Sequence, residues 1–333
     1  MKKNKVYIIA EMACSHEGRI ELAKKIIDGA GKAGADAIQF QIWKLCNMMV
    51  PHHFDYNKAK KLELTYKIWS ELALFSKEKY PNMQIIACVY EKESVDFACS
   101  INVDAFKIHS SDLSNPDLIH HIAKSRKRID LSIGGSTITE IQNAVAWITD
   151  QSDSKIWLMY GHQNFPTKIH DIHLNYMVKL KNLFELPIGY QDHTDGERPE
   201  TYWIPASAIG MGVNIIEKHI THDRSFKGID HEAALNIDEF KMFVNMVRTI
   251  ELARGESKPK AFTESEKTYR KYSKKSIVSV RNLHAGETIT KDDITFMRAD
   301  VLGLPPDKSN RIVGKTLKQN IESFCVITEQ HVA

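Results

Sequence analysis

The sequence predicts a (β/α)8 barrel followed by a small β-rich domain, and two observations support this fold class. Eight short runs of aliphatic and β-branched residues occur before residue 255, and amphipathic segments separate most of them. Apolar strands that alternate with helices indicate a parallel sheet covered on its faces. Eight such units in roughly 250 residues match this barrel in count and length. The predicted strands are Val6–Ala10, Ala37–Gln41, Ile85–Val89, Ala105–His109, Ile129–Ile133, Ile156–Tyr160, Ile188–Gln191 and Val213–Lys218.

The segments between the strands show the apolar spacing of helices. The first segment carries Ile20, Ala23, Ile26, Ile27 and Ala30 at this spacing. A doubly wound sheet is the alternative arrangement of such units, but no Gly-x-Gly-x-x-Gly pattern follows the first strand. A last helix ends at Arg254–Gly255, where the glycine is a suitable cap, so the barrel is assigned to residues 1–255.

The remainder of the chain divides into a linker and a compact module. Residues 256–275 are polar and Lys-rich, contain Pro259 and lack an apolar period, which predicts a linker. Residues 276–333 predict short strands, Ser276–Val280 and Ile294–Arg298, with a turn at Ala285–Gly286–Glu287 between them. About 60 residues are marginal for an independent core, so we expect this module to dock on the barrel or on a partner subunit.

Composition and charge exclude several classes of protein. Hydrophobic residues make up 43% of the 333 positions and charged residues 26%, as in soluble globular proteins, and the formal charge of +3 gives no argument for binding nucleic acid or anionic lipid. The basic start Met1–Lys5 leads into an apolar run broken by Glu11, which predicts a first strand and not a signal peptide. No window approaches about 20 apolar residues, so no membrane span is expected.

The five cysteines are odd in number and scattered, without a Cys-x-x-Cys pair. A disulfide framework or a thiolate zinc site is therefore not expected, and the pattern fits a reducing cytoplasm.

Two histidines follow consecutive apolar runs, and they are the most informative residues of the chain. His193 comes after Ile188–Asp192, and His219 comes after Ile215–Lys218. In this barrel class the active site forms at the carboxyl ends of the strands, where both side chains would lie. Two imidazoles on neighbouring strand ends predict a site for one divalent metal with open positions, hence a Lewis acid.

Lys107 lies inside the apolar run Ala105–Ile108, where a lysine is costly unless it meets an anion. Together with the hydroxyls of Ser110 and Ser132 it can hold a phosphate or a carboxylate. The alternative is a lysine paired with a structural acid. The other polar residues at or near strand ends include Glu11, Gln39, Gln41, Asn164 and Asp230.

Several motifs, taken in order, resemble the sialic acid synthase family. They are Ile9–Ala10–Glu11 with Ser15–His16–Glu17–Gly18, Gly34–Ala35–Asp36–Ala37, Ala105–Phe106–Lys107–Ile108, Asp192–His193–Thr194 and Ile216–Glu217–Lys218–His219. The tail, with Ala285–Gly286–Glu287–Thr288–Ile289, Arg298 and Val313–Gly314–Lys315, is similar to that family's antifreeze-like (SAF) domain. The resemblance covers essentially the whole chain.

This resemblance implies a barrel enzyme that condenses phosphoenolpyruvate with an amino-sugar aldehyde. The products would be a nonulosonic acid, which is a nine-carbon 3-deoxy-2-keto acid, and phosphate. His193 and His219 would bind a divalent metal, usually manganese, with cobalt and magnesium as alternatives. A domain-swapped homodimer is also implied, in which Arg298 reaches the partner's site and contacts the acyl-amino group of the sugar.

The resemblance also assigns roles to the other candidate residues. Glu11 would manage protons near the reacting oxygen and the water. Lys107, Ser110 and Ser132 match groups on phosphoenolpyruvate, and Asp230 and Gln41 match sugar-contacting positions. Asn164 lies in Gln163–Asn164–Phe165–Pro166, which replaces the family's Asn-x-Tyr-Pro.

The departures from the family pattern concentrate on the phosphoenolpyruvate side. Gln39 stands in place of a lysine, Cys88 in place of a threonine and Gln191 in place of a serine. Losing one cation from a site for an anionic ligand costs about 1–3 kcal/mol, which Lys44, His109 or His162 would have to offset. An altered mode of phosphoenolpyruvate binding is favoured over a different donor and over lost activity.

Two functions compete with this synthase. One is a metal-dependent aldolase or hydrolase on the same barrel that works without phosphoenolpyruvate. The other is a non-catalytic sugar-binding homologue, which a metal with open positions argues against.

Overall fold

A computed structural model of the chain describes residues 5–333. Residues 1–4, which belong to the predicted barrel range and to the basic start, lie outside the described residues. The chain separates into two compact units, Met1–Gly255 and Glu256–Ala333.

The first unit contains a closed barrel of eight parallel strands. The strands are β1 (Tyr7–Glu11), β2 (Ala37–Ile42), β3 (Gln84–Val89), β4 (Ala105–Ile108), β5 (Arg128–Ser132), β6 (Ile156–Tyr160), β7 (Ile188–Asp192) and β8 (Ile215–Thr221). They pair in sequence order, and β8 returns to pair with β1. The predicted (β/α)8 barrel is confirmed, and the strand ends differ from the prediction by at most three residues. A two-residue strand, β9 (Leu235–Asn236), pairs in parallel with the end of β8.

Helices follow each of the barrel strands, and most of them cover the outer surface of the barrel. They are α1 (Ile20–Ala33), α2 (Leu45–Met48), α3 (Tyr56–Leu62), α4 (Tyr66–Lys79), α5 (Lys92–Ser100), α6 (Pro116–Ala123), α7 (Ile138–Gln151), α8 (Leu174–Phe184), α9 (Glu200–Gly210) and α10 (Ile237–Arg254). Within residues 5–333, no helix has both the length and the apolar character that crossing a membrane requires.

Strand alternation decides which side chains face the barrel interior. Ile215 of β8 packs inside the barrel against Ile9 and Ile86, whereas Ile216 and Ile220 belong to the larger core shared with the helices. Because side chains alternate along a strand, Glu217 and His219 share the inward direction of Ile215. Both are buried, so the upper interior of the barrel is polar.

The lower end of the barrel interior is closed by an ion pair between Arg128 and the buried Asp130. Arg128 donates from Nε and Nη2 to the two carboxylate oxygens of Asp130, at 2.8 and 3.0 Å. Its guanidinium lies 3.9 Å from the ring centre of Trp157 and 4.9 Å from that of Tyr7. Asp130 is fully buried and Arg128 is partly buried, so the guanidinium supplies the hydrogen bonds that the buried carboxylate needs.

The second unit has its own small core and an antiparallel pair of strands, β10 (Lys275–Ser279) and β11 (Ile294–Arg298). Its buried core residues are Ile277, Leu283, Ile289, Ile312, Leu317, Ile321, Ile327 and Val332. The predicted linker, residues 256–275, contains a helix that the prediction did not include, α11 (Glu264–Ser273). Thr263 and Glu266 form a capping box at its start, which stabilises the helix although it has no buried residue.

Candidate active site

A cavity of about 150 Å³ opens at the carboxyl ends of the barrel strands. It is lined by Glu11, Gln41, Lys107, His109, Ser132, Gln163, Phe165, Gln191, His193, Glu217, His219 and Asp230. The list includes seven of the predicted site residues, from separate strands and from the loop after β8. The barrel therefore brings together side chains that lie up to about 220 positions apart in the sequence.

The two predicted metal ligands lie side by side in this cavity. The ring centres of His193 and His219 are 5.1 Å apart, and Phe165 packs 4.3 Å from the first ring and 5.7 Å from the second. Nδ1 of His193 donates to the backbone carbonyl of His162 at 2.8 Å, which leaves Nε2 with its lone pair. Nδ1 of His219 is buried and has no hydrogen-bond partner among the described residues.

Burial keeps both imidazoles in the form that binds metals. It lowers the pKa of His193 to about 4 and that of His219 well below its usual value, so both rings are neutral at neutral pH. In residues 5–333 no cluster of three or more His, Cys, Asp or Glu side chains is arranged to hold a metal ion. Two neutral imidazoles, one oriented by a backbone carbonyl, nevertheless fit a divalent metal that takes its other ligands from substrate or water.

Glu11 ends β1 with its carboxyl group buried in the cavity wall. Oε1 accepts hydrogen bonds from the backbone N–H of Ala13 at 2.5 Å and from Nε2 of Gln41 at 3.3 Å. Oε2 is buried without a partner in the described chain. Burial raises the pKa of Glu11 to about 8, although the charge of Lys107 opposes the shift. At neutral pH the carboxyl is therefore mostly protonated and can donate a proton.

Lys107 is paired with an acid inside the barrel, which was the alternative interpretation of this lysine. Its Nζ lies 2.5 Å from Oε1 of Glu217, and both side chains are almost fully buried. Burial acts to lower the pKa of Lys107, but the negative charges of Glu217 and Glu11 outweigh it and the pKa is raised. Glu217 was not among the predicted site residues, although its position two before His219 on one strand places both on the same face.

Gln191 connects this ion pair to Ser132. Its Nε2 donates to Oε1 of Glu217 at 3.0 Å, and its Oε1 accepts from the hydroxyl of Ser132 at 2.9 Å. Lys107, Glu217, Gln191 and Ser132 thus form a continuous set of hydrogen-bonded side chains.

Asp230 reaches the cavity from the loop after β8. Its backbone has φ +61°, a left-handed conformation that aspartate tolerates better than most residues. A 3-10 helix, His231–Ala233, follows it, and Nε2 of His231 lies 3.2 Å from Oε1 of Glu17 in the loop after β1. Burial raises the pKa of Asp230 to about 6.

Four predicted substrate-binding residues lie elsewhere. Gln39 on β2 is fully buried and does not line the cavity, and both atoms of its amide are without partners among residues 5–333. Ser110 begins a 3-10 helix after β4, so His109 takes the position at the cavity. The side chain of Asn164 is exposed while its neighbours Gln163 and Phe165 line the cavity. Arg298 is exposed at the end of β11 in the second unit.

Comparison with known proteins identifies the family. The model of the NeuB family matches residues 26–259, which is more than half of the chain. This chain belongs to the NeuB family. The SAF domain model matches residues 274–333, so both parts of the predicted resemblance to sialic acid synthases are confirmed.

Several of the relatives are synthases by name. The N,N'-diacetyllegionaminic acid synthase of Legionella pneumophila is 30% identical over 98% of this chain and 94% of its own length. The N-acetylneuraminate-9-phosphate synthase of Mus musculus is 28% identical over 99% of this chain and 93% of its own. The crystal structure of the sialic acid synthetase from Leptospira borgpetersenii, in complex with citrate, has a TM-score of 0.73 at 32% identity, covering 80% of this chain and 92% of that one. The prediction of an enzyme of the sialic acid synthase type is thereby confirmed.

Proposed function

We propose that this enzyme condenses phosphoenolpyruvate with an amino-sugar aldehyde to give a nonulosonic acid and phosphate. The observation that carries the proposal is the convergence of Glu11, Lys107, His193 and His219 on one cavity at the carboxyl ends of the strands. These groups supply a proton donor, a cation and two neutral imidazoles, which the condensation requires. The names of the relatives support a product of the sialic, legionaminic or pseudaminic acid class.

In this proposal His193 and His219 hold a divalent metal, with manganese as the expected ion and cobalt and magnesium as alternatives. Such an ion supplies Lewis-acid polarisation of the aldehyde carbonyl. Two histidines with oxygen ligands suit several divalent ions, so the choice of ion depends on availability as well as on the site.

The side chains of the cavity then account for the proton and charge movements. Lys107 contacts an anionic group of phosphoenolpyruvate and orients C3 toward the aldehyde carbon. As the new carbon–carbon bond forms, Glu11 donates its proton to the aldehyde oxygen. Water then adds at C2 of the donor and gives one proton to the Glu11 carboxylate, which restores its acid form. The carbon–oxygen bond to phosphate breaks as the C2 ketone forms, and the remaining hydroxyl proton leaves with the phosphate. Asp230 and Gln41 bind hydroxyls of the acceptor sugar.

The quaternary structure and location belong to the same proposal. A domain-swapped homodimer would bring Arg298 of one protomer to the acceptor in the partner's site, which gives that exposed arginine a role. Five free cysteines, of which Cys14 and Cys88 are buried, fit a reducing cytoplasm.

The test is phosphate release from phosphoenolpyruvate with Mn²⁺ across a panel of amino-sugar aldehydes. The panel contains an N-acetylhexosamine, a diacetamido-trideoxy-hexose and a phosphorylated amino sugar, and products are identified by mass spectrometry. Acceptor-dependent release with a product three carbons longer than the acceptor is the expected result. Glu11→Gln is the matched variant, since it keeps the shape but cannot donate an acid proton. Absence of release with every acceptor rejects the proposal.

A second candidate function is a metal-dependent aldolase that uses an unphosphorylated donor. It is favoured by one observation: Lys107 and Ser132, which would bind the phosphorylated donor, are hydrogen-bonded within the protein. In this case pyruvate and an aldehyde give a product without any phosphate release. A homologue that binds the sugar without turnover would form no product from either donor.

A further inference from the structure

Four buried side chains form a hydrogen-bonded chain at the floor of the cavity, in the order Lys107, Glu217, Gln191 and Ser132. Glu217 accepts from Lys107 at 2.5 Å and from Gln191 at 3.0 Å, and Gln191 accepts from Ser132 at 2.9 Å. None of the four is more than 3% exposed, and all of them line the cavity. We call this set the floor chain.

Gln191 is the junction of the floor chain because it uses both ends of its amide. The amide oxygen accepts from the Ser132 hydroxyl and the amide nitrogen donates to the Glu217 carboxylate. Exchanging the two ends would place an oxygen against a carboxylate that can only accept, so the bond to Glu217 fixes the orientation of the amide. The backbone also makes room for this side chain. A Cβ atom on Gly161 would lie 2.8 Å from Cβ of Gln191 and 2.6 Å from its carbonyl oxygen, closer than atoms approach without displacement.

In the floor chain, the hydrogen-bond donors of Ser132 and Lys107, which could bind an anion, are bonded to other protein side chains. Ser132 has one hydroxyl hydrogen, and that hydrogen bonds to Gln191. Lys107, the only lysine or arginine among the residues lining this cavity, faces Glu217. Oε2 of Glu217 is buried and has no partner within residues 5–333. A phosphate that enters the cavity is therefore repelled by the free oxygen of Glu217. It must also displace Gln191 from the Ser132 hydroxyl and Glu217 from the Lys107 ammonium.

We propose that Gln191 sets how strongly this cavity binds a phosphorylated three-carbon donor, by holding Ser132 and Glu217 in the floor chain. The donor binds only when it breaks the bond between Gln191 and Ser132. The identity of the donor as phosphoenolpyruvate rests on the proposed function. Pyruvate, which has one negative charge and no phosphate, needs fewer of these donors and depends less on Gln191.

The test uses the full-length protein with saturating Mn²⁺ and measures binding by calorimetry in the absence of any acceptor. In Gln191→Ala the hydroxyl of Ser132 is released, and the dissociation constant for phosphoenolpyruvate is expected to fall about tenfold, as one charge-assisted hydrogen bond provides. The dissociation constant for pyruvate is expected to change by less than about twofold. The matched control is Gln163→Ala, which removes another glutamine from the cavity wall without touching the floor chain.

A double variant tests whether the gain in affinity comes from the released hydroxyl of Ser132. With Ser132→Ala already present, the further change Gln191→Ala should give no gain in affinity for phosphoenolpyruvate, because the released hydroxyl is missing. If Gln191→Ala does not fold, Gln191→Asn serves the same purpose, since its shorter side chain cannot reach both partners.

Unchanged or weaker binding of phosphoenolpyruvate to the folded variant overturns the proposal, and so does equal tightening in the Ser132→Ala background. Absence of binding to both the natural protein and the variant also overturns it. Failure of the proposed function has a different signature, because tighter binding in Gln191→Ala without acceptor-dependent phosphate release leaves this inference standing while rejecting phosphoenolpyruvate as the substrate.

Discussion

At the scale of single residues, burial decides the charge of the groups that face the cavity. It lowers the pKa of His109 and His193 to about 4 and raises that of Glu11 to about 8. At neutral pH the cavity therefore presents neutral imidazoles and a protonated carboxyl. A neutral imidazole binds a metal and a protonated carboxyl donates to a developing alkoxide, so the same desolvation prepares both functions.

Replacement of His219 tests the predicted metal site. His219→Ala removes one of two imidazoles, and we expect Mn²⁺ affinity to fall about 100-fold or more, with loss of metal-dependent turnover. Free Mn²⁺ is measured by electron paramagnetic resonance during a titration. His109→Ala is the control, because His109 lines the same cavity outside the predicted ligand pair. Full Mn²⁺ binding and full turnover in a folded His219→Ala protein would show that the site is wrongly assigned.

Replacement of Gln39 tests whether a cation near the cavity strengthens the binding of phosphoenolpyruvate. Its amide is buried without a partner among the described residues, and its backbone pairs with that of Glu11. Gln39 does not line the cavity but shares the inward face of β2 with Gln41, which does. The longer side chain of Gln39→Lys extends a cation from there toward the cavity, and we expect phosphoenolpyruvate to bind about tenfold more tightly. Gln39→Met, similar in size and uncharged, is the control in the same calorimetric titration. Unchanged or weaker binding of the lysine variant would mean that position 39 does not face the donor.

The sequence predicts some of these residues well and others poorly, for physical reasons. His193 and His219 were predictable because strand ends and barrel geometry determine where they lie. Ser110 and Asn164 lie beyond the ends of β4 and β6, where strand alternation no longer determines the direction of a side chain. The partner of Lys107 could not be named either, since Glu217 lies 110 positions away and only closure of the barrel brings them together.

At the scale of elements, the strand positions were predictable because their runs are almost wholly apolar, and both faces of this sheet are buried. Helix α11, in contrast, was not predicted from apolar periodicity. It has no apolar face, and the signal for it was the spacing of Thr263 and Glu266, a capping box within a polar segment. Periodicity therefore identifies elements that build a core and misses those that are stabilised locally.

Replacement of Gly134 tests how closely the chain after β5 approaches the chain after β6. A Cβ atom there would lie 2.2 Å from the carbonyl oxygen of Gly161 and 2.8 Å from Nε2 of Gln163. Gly134→Ala therefore forces the ends of β5 and β6 apart, and we expect a loss of about 1–3 kcal/mol in the free energy of unfolding. Urea denaturation measures it. Gly210→Ala is the control, since a Cβ at that helical position meets open space and should be neutral or stabilising. Equal stabilities of the two variants would contradict the close approach.

At the scale of the whole molecule, the first unit carries charged groups at both ends of the barrel interior. The pair Arg128–Asp130 closes the lower end, and the floor chain lies nearer the cavity. Asp130→Ala removes the carboxylate that accepts two hydrogen bonds from Arg128, while the partly buried guanidinium keeps its contacts with Tyr7 and Gln84. We therefore expect a loss of about 1–3 kcal/mol in the free energy of unfolding. The double variant with Arg128→Met should lose less, because no unpaired charge remains.

Tryptophan fluorescence in urea isolates this effect to the barrel unit. All five tryptophans lie before residue 255, and Trp157 stacks on Arg128. The transition therefore reports the unit that contains the ion pair. A double variant as unstable as Asp130→Ala would mean that packing, and not the unpaired charge, determines the loss.

Histidines that are buried in their neutral form make the free energy of unfolding depend on pH. His16 is the clearest case outside the cavity: its Nδ1 accepts from the backbone N–H of Gly18 at 3.0 Å, and burial lowers its pKa from 6.5 to about 4. Between these two values the unfolded chain binds a proton that the folded chain does not. The free energy of unfolding must therefore fall as pH falls from about 6.5 to about 4, on the order of 1 kcal/mol per pH unit for this residue.

His16→Gln removes this titration while keeping a group that can accept from Gly18. The variant is less stable at every pH because it packs less well. Only the natural protein loses further stability below pH 6.5, because its folded state keeps His16 neutral while the unfolded chain binds a proton there. The stability difference between the two proteins should therefore be smaller at pH 5 than at pH 7, as measured by urea denaturation at both values without metal. Glu11 has the opposite sign, because its raised pKa removes stability as pH rises from about 4.5 to about 8. Because Glu11 is present in both proteins, its contribution cancels in the difference. An equal difference at the two pH values would mean that His16 is not held neutral by burial.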